Sequence, residues 1–456
     1  MGRVDEIVTQ IAGQIASGQF LAGQKLPSVR IGAAQYGVSK NTMAEAYDRL
    51  VARGMLLSRQ GSGYYVTGHL PVTPPPPRPD VTEASGIVSL LREQLEQHYE
   101  TRPGDGRPPA SWTEGSELRR FMARGRSAAA DVEYGYGSSW GLAALRSWLR
   151  LSMAERSIPV EADGVMLTSG INHGFDLIIR HMLEPGDTVF VDSPGYYPLF
   201  AKLRLAKVTM VPIRRLMDGP DLDDLAAKLT IRRPKMFFTQ SQGHNPTGGG
   251  LSPAVAFGLM KLADAHDFRI VEDDAFADLH PTSLPRLAAL GQQRRVLYVG
   301  SFSKTLSASL RCGYVAGTPE IIRGLVDLKM ITTVATSAHV ERLVIDLIDS
   351  GQYLKHLRRL RVRMEEGTKT TVRAFAELGI ELAAPKVPGF YLWAPLPEGT
   401  DERAFCRAAA EANIFVAPAA EFRPDRDHSS TPGMRVNVAY GADPSFQAFL
   451  RQQLQR

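Results

Sequence analysis

The sequence predicts an α/β chain in two unequal parts: a small three-helix unit with a hairpin in front, and a large, mostly parallel sheet domain behind it. Three observations predict this. The first 68 residues place apolar side chains at helical spacing and end in two short β runs around glycines. Residues 71–86, PVTPPPPRPDVTEASG, favour an extended polyproline II spacer over a packed element. In the roughly 370 residues that follow, short β-branched runs alternate with helical ones, the pattern of a parallel α/β sheet.

A chain of 456 residues has room for two or three domains of ~100–200 residues, which excludes a single small binding module. With 44% hydrophobic and 22% charged residues it is composed like an ordinary folded protein. No stretch approaches the ~18 uninterrupted apolar residues of a membrane helix, and MGRVDEIVTQ lacks the apolar segment of a signal peptide. The expectation is a cytoplasmic chain with no membrane partner. Cys312 and Cys406 are too few for a disulfide framework or a cysteine zinc site. The net charge of +5 does not by itself argue for nucleic acid, but residues 1–68, with seven basic and four acidic side chains, hold +3 of it.

In that front unit Ile7, Ile11 and Ile15 make one apolar face of a first helix, closed by Ser17-Gly18. LPSVRIGAAQYGVSKNTMAEAYDRLVARG then gives a short helix, a turn at Gly37 and a longer helix entered through Ser39. Met43, Ala46, Tyr47 and Leu50 must face the core, which leaves Lys40, Asn41, Thr42 and Glu45 outward. MLLSR and YYV read as two strands around Gln60-Gly61-Ser62-Gly63. The unit is a winged helix-turn-helix. Free N–H groups at the second helix's start, with the charges of Lys40 and Arg30, suit DNA phosphate, and Lys40, Asn41 or Thr42 would read base edges. The alternative is a dimerisation module with a solvated basic face.

The large part concentrates chemistry at strand ends. Lys304 follows the strand Val296–Val299 among Ser301, Ser303, Thr305 and Ser307, with Arg311 beyond. Such a lysine forms a Schiff base with an aldehyde cofactor, whose phosphate the hydroxyls and guanidinium would take; a solvated serine-rich turn is the alternative. Asp273 ends the strand Arg269–Glu272 and is a partner for a pyridine nitrogen, or else a helix cap. After the strand Met236–Thr239, Asn245 precedes a proline turn and can hydrogen-bond a phenolic ring oxygen. Gly170, Ile171 and Asn172 follow the strand Val165–Thr168 and open a helix whose amides can take phosphate. Tyr196, after the strand Val189–Asp192, offers a ring to stack on.

From ASGQFLAGQKLPSVR through GVSKNTMAEAYDRL to RQGSGYYV, residues 1–68 resemble the GntR-type winged helix; the resemblance implies DNA contacts at Arg30, Lys40, Thr42, Arg59 and Gly61. The strand-end segments and the Lys304 run resemble aminotransferases of fold type I over nearly all of 110–456. That implies a large domain at about 130–325 with a mostly parallel seven-stranded sheet, and a small α+β domain at about 330–456, within an aminotransferase class I/II-like region 91–456 behind a linker 69–90. It also implies pyridoxal 5'-phosphate bound through Lys304, Asp273, Asn245, Tyr196, Gly170, Ile171, Asn172, Ser301, Ser303 and Arg311. YGSSWGLAALRSWL matches the family's pattern and makes Tyr136 the tyrosine that reaches the partner subunit's phosphate, hence a homodimer; GMRVNVAY makes Arg435 the clamp for a substrate carboxylate. One departure stands out: Asp273-Asp-Ala-Phe276 has phenylalanine where the family usually has tyrosine. Losing that hydrogen bond should alter the titration of the lysine–cofactor bond, unless Asn245 suffices and Phe276 only packs.

The two halves in this order look like the MocR/GabR branch of GntR-type transcription regulators, in which the cofactor, alone or with an amine effector captured through Arg435 and Lys304, biases two DNA-reading domains of a head-to-tail dimer on a double-stranded operator. Bias requires different affinities for two arrangements. The ~15-residue spacer could span ~45 Å as polyproline II, enough for the domains to cross. Two rivals remain: an active aminotransferase carrying a DNA-binding domain, with Lys304 as general base, and a sensor of the cofactor alone. Three further features read as background. His173, His244 and His266 lack metal-ligand spacing, so no metal is expected. Tyr391 and Trp393 alternate on a strand and read as small-domain core, and the basic run YLKHLRRLRVRM at 353–364 is either a second DNA-facing surface or a solvated helix face.

Overall fold

The computed structural model describes residues 2–59, 61–67, 86–113, 135–291, 294–425 and 431–454. The chain divides into two compact units, Met1–Arg78 and Pro79–Arg456. The proline-rich segment lies outside the described residues up to 85, and a helix, Ile87–Glu96, begins inside the range expected to be linker.

The first unit contains α1 (Arg3–Ala16), α2 (Val29–Tyr36), α3 (Lys40–Ala52) and a hairpin of β1 (Leu56–Arg59) and β2 (Gly63–Val66). Ile7, Ile11 and Ile15 meet Met43, Ala46, Tyr47 and Leu50 in its core. Helices α2 and α3 pack closely because residue 32 is glycine; a Cβ there would lie 2.9 Å from Met43 Cε. Helix α3 starts where it does because Ser39 Oγ accepts the Thr42 N–H at 3.1 Å. Leu56 pairs with Val66 and Arg59 with Gly63, so the hairpin's tip carries Gly61 and Ser62.

The second unit is built on an eight-stranded sheet in the order β3 (Val165–Thr168), β10 (Gly313–Ala316), β9 (Val296–Ser301), β8 (Arg269–Asp273), β7 (Met236–Gln240), β4 (Thr188–Ser193), β5 (Thr209–Leu216), β6 (Gly219–Pro220). Strands β5, β4, β7, β8 and β9 run parallel, while β10 is antiparallel to both β9 and β3. Seven of these strands match the expected count. The eighth, β6, is a two-residue antiparallel edge, too short to leave a periodic signal.

Both faces of the sheet are covered, and the period of two decides which residue goes where. Phe190, Phe237, Ile270 and Tyr298 join one apolar cluster, whereas Val189, Val191, Phe238, Val271 and Val299 join the other. Pairing aligns the strand ends: Gln240 stands opposite Asp273, Asp273 opposite Val299, Ser301 opposite Gly313, and Gly313 opposite Thr168. The loops leaving β4, β7, β8 and β9 therefore depart from one edge of the sheet, where open α/β sheets take ligands. A smaller antiparallel sheet, in the order β11 (Tyr391–Pro395), β13 (Gly433–Asn437), β12 (Ala417–Pro418), follows the 25-residue helix Gln352–Ala376.

Directly behind the site edge, Arg286 Nε donates to Asp274 Oδ2 at 2.7 Å, both side chains being fully buried, and Tyr298 Oη donates to the same oxygen at 2.8 Å. Removing one member strands the other's charge in a dry interior. Asp274→Ala should lower unfolding stability by about 3–5 kcal/mol, measured by denaturant titration; a loss below about 1 kcal/mol would refute the pairing.

Candidate functional site

Lys304 lies three residues beyond β9, and its amine donates to the Gly106 carbonyl. Burial pulls the amine down to about 7; Asp105 opposes this, and Arg435, Arg107 and Arg311 add to it. Asp273 closes β8, and one of its oxygens accepts the Ala275 N–H at 3.0 Å. Burial pushes its carboxyl up to about 7, with Asp274 and Asp192 reinforcing the shift against the Ala275 N–H and Lys304. At neutral pH this edge thus offers an amine that is uncharged about half of the time, and then able to attack a carbonyl, and a carboxyl that keeps its proton to a similar extent and wants a cationic partner.

Beside them is a cradle for an anion. Gly170, at φ +78, opens the helix Ile171–Met182 and leaves its first amides, including those of Ile171 and Asn172, without helical partners. Arg311, in the left-handed region at φ +47, donates through Nη1 to Ser303 Oγ at 3.3 Å and through Nη2 to the Ser169 carbonyl at 3.2 Å. Ser301 Oγ accepts the Ser303 N–H at 3.0 Å. Glycine is favoured at 170 by its backbone, φ +78 with ψ 173, which L side chains rarely adopt, and a Cβ there would stand 2.7 Å from Arg311 Nη2 and push that side chain aside. Next to the cradle, Tyr196 Oη donates to Asn172 Oδ1 at 3.4 Å, and Tyr196 and Asp273 line one cavity.

Asn245, after β7, is held at both ends: its N–H donates to Gln240 Oε1 at 2.6 Å and its Oδ1 accepts Arg435 Nη1 at 2.8 Å. With Oδ1 taken by the arginine, the amide's NH2 is left to donate elsewhere. Arg435, on β13, is buried, donates through Nη2 to the Gly104 carbonyl at 2.6 Å, and lies 5.2 and 5.0 Å from the Tyr391 and Phe422 ring centroids. The acceptors of its hydrogen bonds are thus an amide oxygen and a backbone carbonyl, and its Nε has no partner among the described residues. A buried arginine served only by neutral acceptors is poised for a carboxylate.

Sequence reasoning missed a strap, Thr101–Arg107, that supplies the carbonyls of Gly104 and Gly106. It is bound along β13: Asn437 N donates to the Pro103 carbonyl at 2.7 Å, and Asn437 Nδ2 to those of Asp105 and Arg107 at 3.0 and 2.7 Å. The glycines of RPGDG were the available signal; a Cβ on Gly104 would lie 2.5 Å from the Val416 carbonyl carbon. Tyr391, expected to be core, is buried as expected, yet its phenol also donates to the Gly106 carbonyl at 2.8 Å, the acceptor Lys304 uses. Phe276 is 3% exposed and packs against Phe390, Tyr391 and His280, which supports its reading as packing. Tyr136 is 92% exposed in the single chain.

His173 Nδ1 accepts the Ser169 N–H at 3.1 Å, and His244 Nδ1 bonds Thr247 Oγ1 at 2.8 Å; burial holds His244 well below the usual histidine range, hence neutral. Among the described residues no cluster of potential metal ligands exists. In the first unit Lys40 and Asn41 stand exposed at the start of α3, while Thr42 is part-buried with its hydroxyl on Ser39 Oγ at 2.8 Å. Arg30 is exposed on α2, Gly61 turns the hairpin at φ +73, and the Arg59 guanidinium lies 4.6 Å from the Tyr65 ring centroid. The basic run 353–364 is partly spent inward, since Arg361 donates to the carbonyls of Asp278 and Leu279 and Arg363 to those of Ser111 and Trp112.

The state of Asp273 can be measured in cofactor-free protein. An unfolded aspartate ionises near 3.8, whereas here the proton is kept to about 7. Between those values the folded chain binds more protons than the unfolded one, so stability falls as pH rises, and Asp273→Asn escapes this loss. From pH 5 to 7 the variant should gain roughly 2 kcal/mol on wild type in denaturant titrations; an unchanged difference would refute a carboxyl that holds its proton.

Comparison with known proteins agrees with this architecture. Residues 3–66 match the gntR family of bacterial regulatory proteins, and residues 108–451 match the aminotransferase class I and II family. Over 453 residues, 96% of each chain, the protein is 28% identical to the uncharacterised HTH-type transcriptional regulator YdcR of Escherichia coli. It is also 28% identical to the probable rhizopine catabolism regulatory protein MocR of Rhizobium meliloti, covering 80% of this chain and 76% of that one. Among solved structures, the kynurenine aminotransferase of Pyrococcus horikoshii superposes with a TM-score of 0.73 at 25% identity, covering 81% of this chain and 95% of that one. With residues 108–451 matched, the chain belongs to the aminotransferase class I and II family, with a gntR-type unit in front of it.

Proposed function

We propose that this protein is a pyridoxal-phosphate-dependent, DNA-binding transcriptional regulator that responds to the cofactor, to an amino-compound effector, or to both. The observation that carries the reading is the meeting of Lys304, Asp273 and Asn245, at the edge of the large sheet, with Arg435, which reaches Asn245 from the small sheet, in a chain whose residues 3–66 match the gntR family of bacterial regulatory proteins. The names of the full-length relatives support regulation over metabolism.

The donor set fits pyridoxal phosphate. The Arg311, Ser301, Ser303 and helix N-terminal cradle suits its phosphate, with Gly170, Ile171 and Asn172 giving amides. Asp273 would take the ring nitrogen, the Asn245 amide the phenolic oxygen, and Tyr196 a ring face. When bound, the group supplies an electrophilic carbon and an electron sink. The chain's own residues do the rest: Lys304, whose amine burial brings down to about 7 so that a substantial share is neutral at neutral pH, is the attacking amine and the local proton acceptor, and Arg435 orients an incoming carboxylate while Gln240 holds Asn245 in register. Tyr136, exposed in the single chain, would complete the site of a second copy, which makes the working unit a homodimer. In the first unit, Lys40, Asn41 and Thr42 would face base edges, and Arg30, Arg59 and Gly61 the backbone of double-stranded DNA. The proposed domain limits are 1–68 for this unit and, with the helix Ile87–Glu96 packed into its core, 86–456 for the rest, with the ligand state biasing the placement of two DNA-reading units.

Holo-protein should absorb in the visible range, and borohydride should fix the label on Lys304 and nowhere else; colourless protein after incubation with excess cofactor would end the reading. In fluorescence anisotropy with a promoter-region duplex, Lys40→Glu should weaken binding by at least ~10-fold. Repeated conversion of an amino donor with added keto acid, unaccompanied by any effect on DNA binding, would favour the aminotransferase instead.

A further inference from the structure

The large sheet has a second edge, opposite the candidate site, and it is strongly basic. Strands β7, β8 and β9 begin there at Met236, Arg269 and Val296, and the loops that lead into them line a groove of about 1290 Å³. Arg269 starts the five-residue strand that Asp273 ends, so ~13 Å of strand separates this groove from the candidate site. Six basic side chains line it: Arg232, Arg233, Lys235, Arg269, Arg294 and Arg295.

Two of the six are neutralised. Lys235 Nζ pairs with Asp187 Oδ2 at 2.7 Å, and Arg295 holds Asp264 through Nε and Asp267 through Nη1, the latter at 2.8 Å. The other four have no carboxylate partner among the described residues. Arg269 Nη1 donates to the Arg294 carbonyl at 3.0 Å, while the guanidiniums of Arg232, Arg233 and Arg294 make no hydrogen bond or ion pair among those residues. Helix ends account for part of this charge. The helices Ile171–Met182, Leu222–Leu229 and Pro253–Ala265 all bring their last residue to the groove. Each C-terminus carries roughly half a negative charge, about −1.5 in all, against four unpaired guanidiniums. The surplus calls for an anion.

Charge and shape narrow the choice. A single phosphoryl group matches one guanidinium fork, whereas a chain of linked phosphoryl groups engages several at once. A duplex is convex and would meet the exposed carboxylates of Asp264 and Asp267 along the same lining, where a small anion can sit between the arginines. A second copy of this chain docked symmetrically on the groove would set the arginines against themselves.

We propose that this groove is a binding site for a small oligophosphate anion, with two or more linked phosphoryl groups held by Arg232, Arg233, Arg269 and Arg294. Ile231, exposed in the same lining, offers apolar surface to a nucleoside ring where the oligophosphate carries one.

The test is calorimetry on the full-length, cofactor-loaded chain at about 0.15 M salt, titrated with orthophosphate, inorganic tripolyphosphate and ATP. Tripolyphosphate should bind at one site per chain and at least ~10-fold more tightly than orthophosphate. The double variant Arg232→Ala/Arg233→Ala, at two exposed positions, should lower that affinity at least ~10-fold, and Arg269→Gln should lower it by itself. ATP binding more tightly than tripolyphosphate makes the ligand a nucleotide, and ATP binding no more tightly makes it an oligophosphate as such; both support the site. Absence of tripolyphosphate binding, equal binding of orthophosphate, or an undiminished affinity in the double variant overturns the proposal. So does a loss in Lys40→Glu equal to that in the double variant, which would assign the anion to the first unit. A double variant whose affinity for the promoter-region duplex falls as far as its affinity for tripolyphosphate also overturns it, because the groove is then a DNA surface.

Discussion

Withdrawing an amine and a carboxyl together from water is the constraint on which the rest of the second unit depends. A lone buried ion costs several kcal/mol, so burial moves both Lys304 and Asp273 to about 7, where each is only about half ionised at neutral pH. Such a state survives only where the surrounding structure is over-determined. Both faces of the sheet are packed with aliphatic and aromatic side chains, and strand pairing fixes the height at which each polar side chain emerges.

The layer beneath the site follows the same logic. Arg215 Nη1 donates to Asp192 Oδ2 at 3.0 Å and to Thr239 Oγ1 at 3.1 Å, and Thr239 Oγ1 donates to the same carboxylate oxygen at 2.8 Å. The Gln240 N–H reaches that oxygen at 3.3 Å, and the Gln240 side chain carries Asn245. The charge pair is thus linked through the backbone N–H groups of Gln240 and Asn245 to the Asn245 side chain. Asp192 Oδ1 and two Arg215 nitrogens keep no partner in this layer, so its polarity is not exhausted by structural duty.

How much of this was legible in the sequence depended on where the information resided. Strands β3, β4, β7, β8 and β9 were visible because β-branched and aromatic residues cluster there between turn residues, and their boundaries moved by only one or two positions. Lys304, Asp273, Asn245 and Arg311 could be singled out because the chemistry expected of them resides in their side chains. The strap was not, because Gly104 and Gly106 act through carbonyl oxygens that every residue possesses. Alternation correctly buried Tyr391, but periodicity reports a face and not where a hydroxyl ends. The run at 353–364 looked more basic than it functions, since Arg361 and Arg363 spend their donors on internal carbonyls.

Strand β13 carries opposite duties on its two sides. Met434 and Val436 are buried in the apolar cluster of the small sheet, while Arg435 and Asn437 between and beyond them point to the clamp and the strap. Oil on one side therefore aims the chemistry on the other. Adding or deleting a single residue here would rotate the pair of polar groups into hydrocarbon and turn two aliphatic chains toward the pocket. This short stretch is consequently intolerant of length variation even though many of its individual side chains could be exchanged for others of like size.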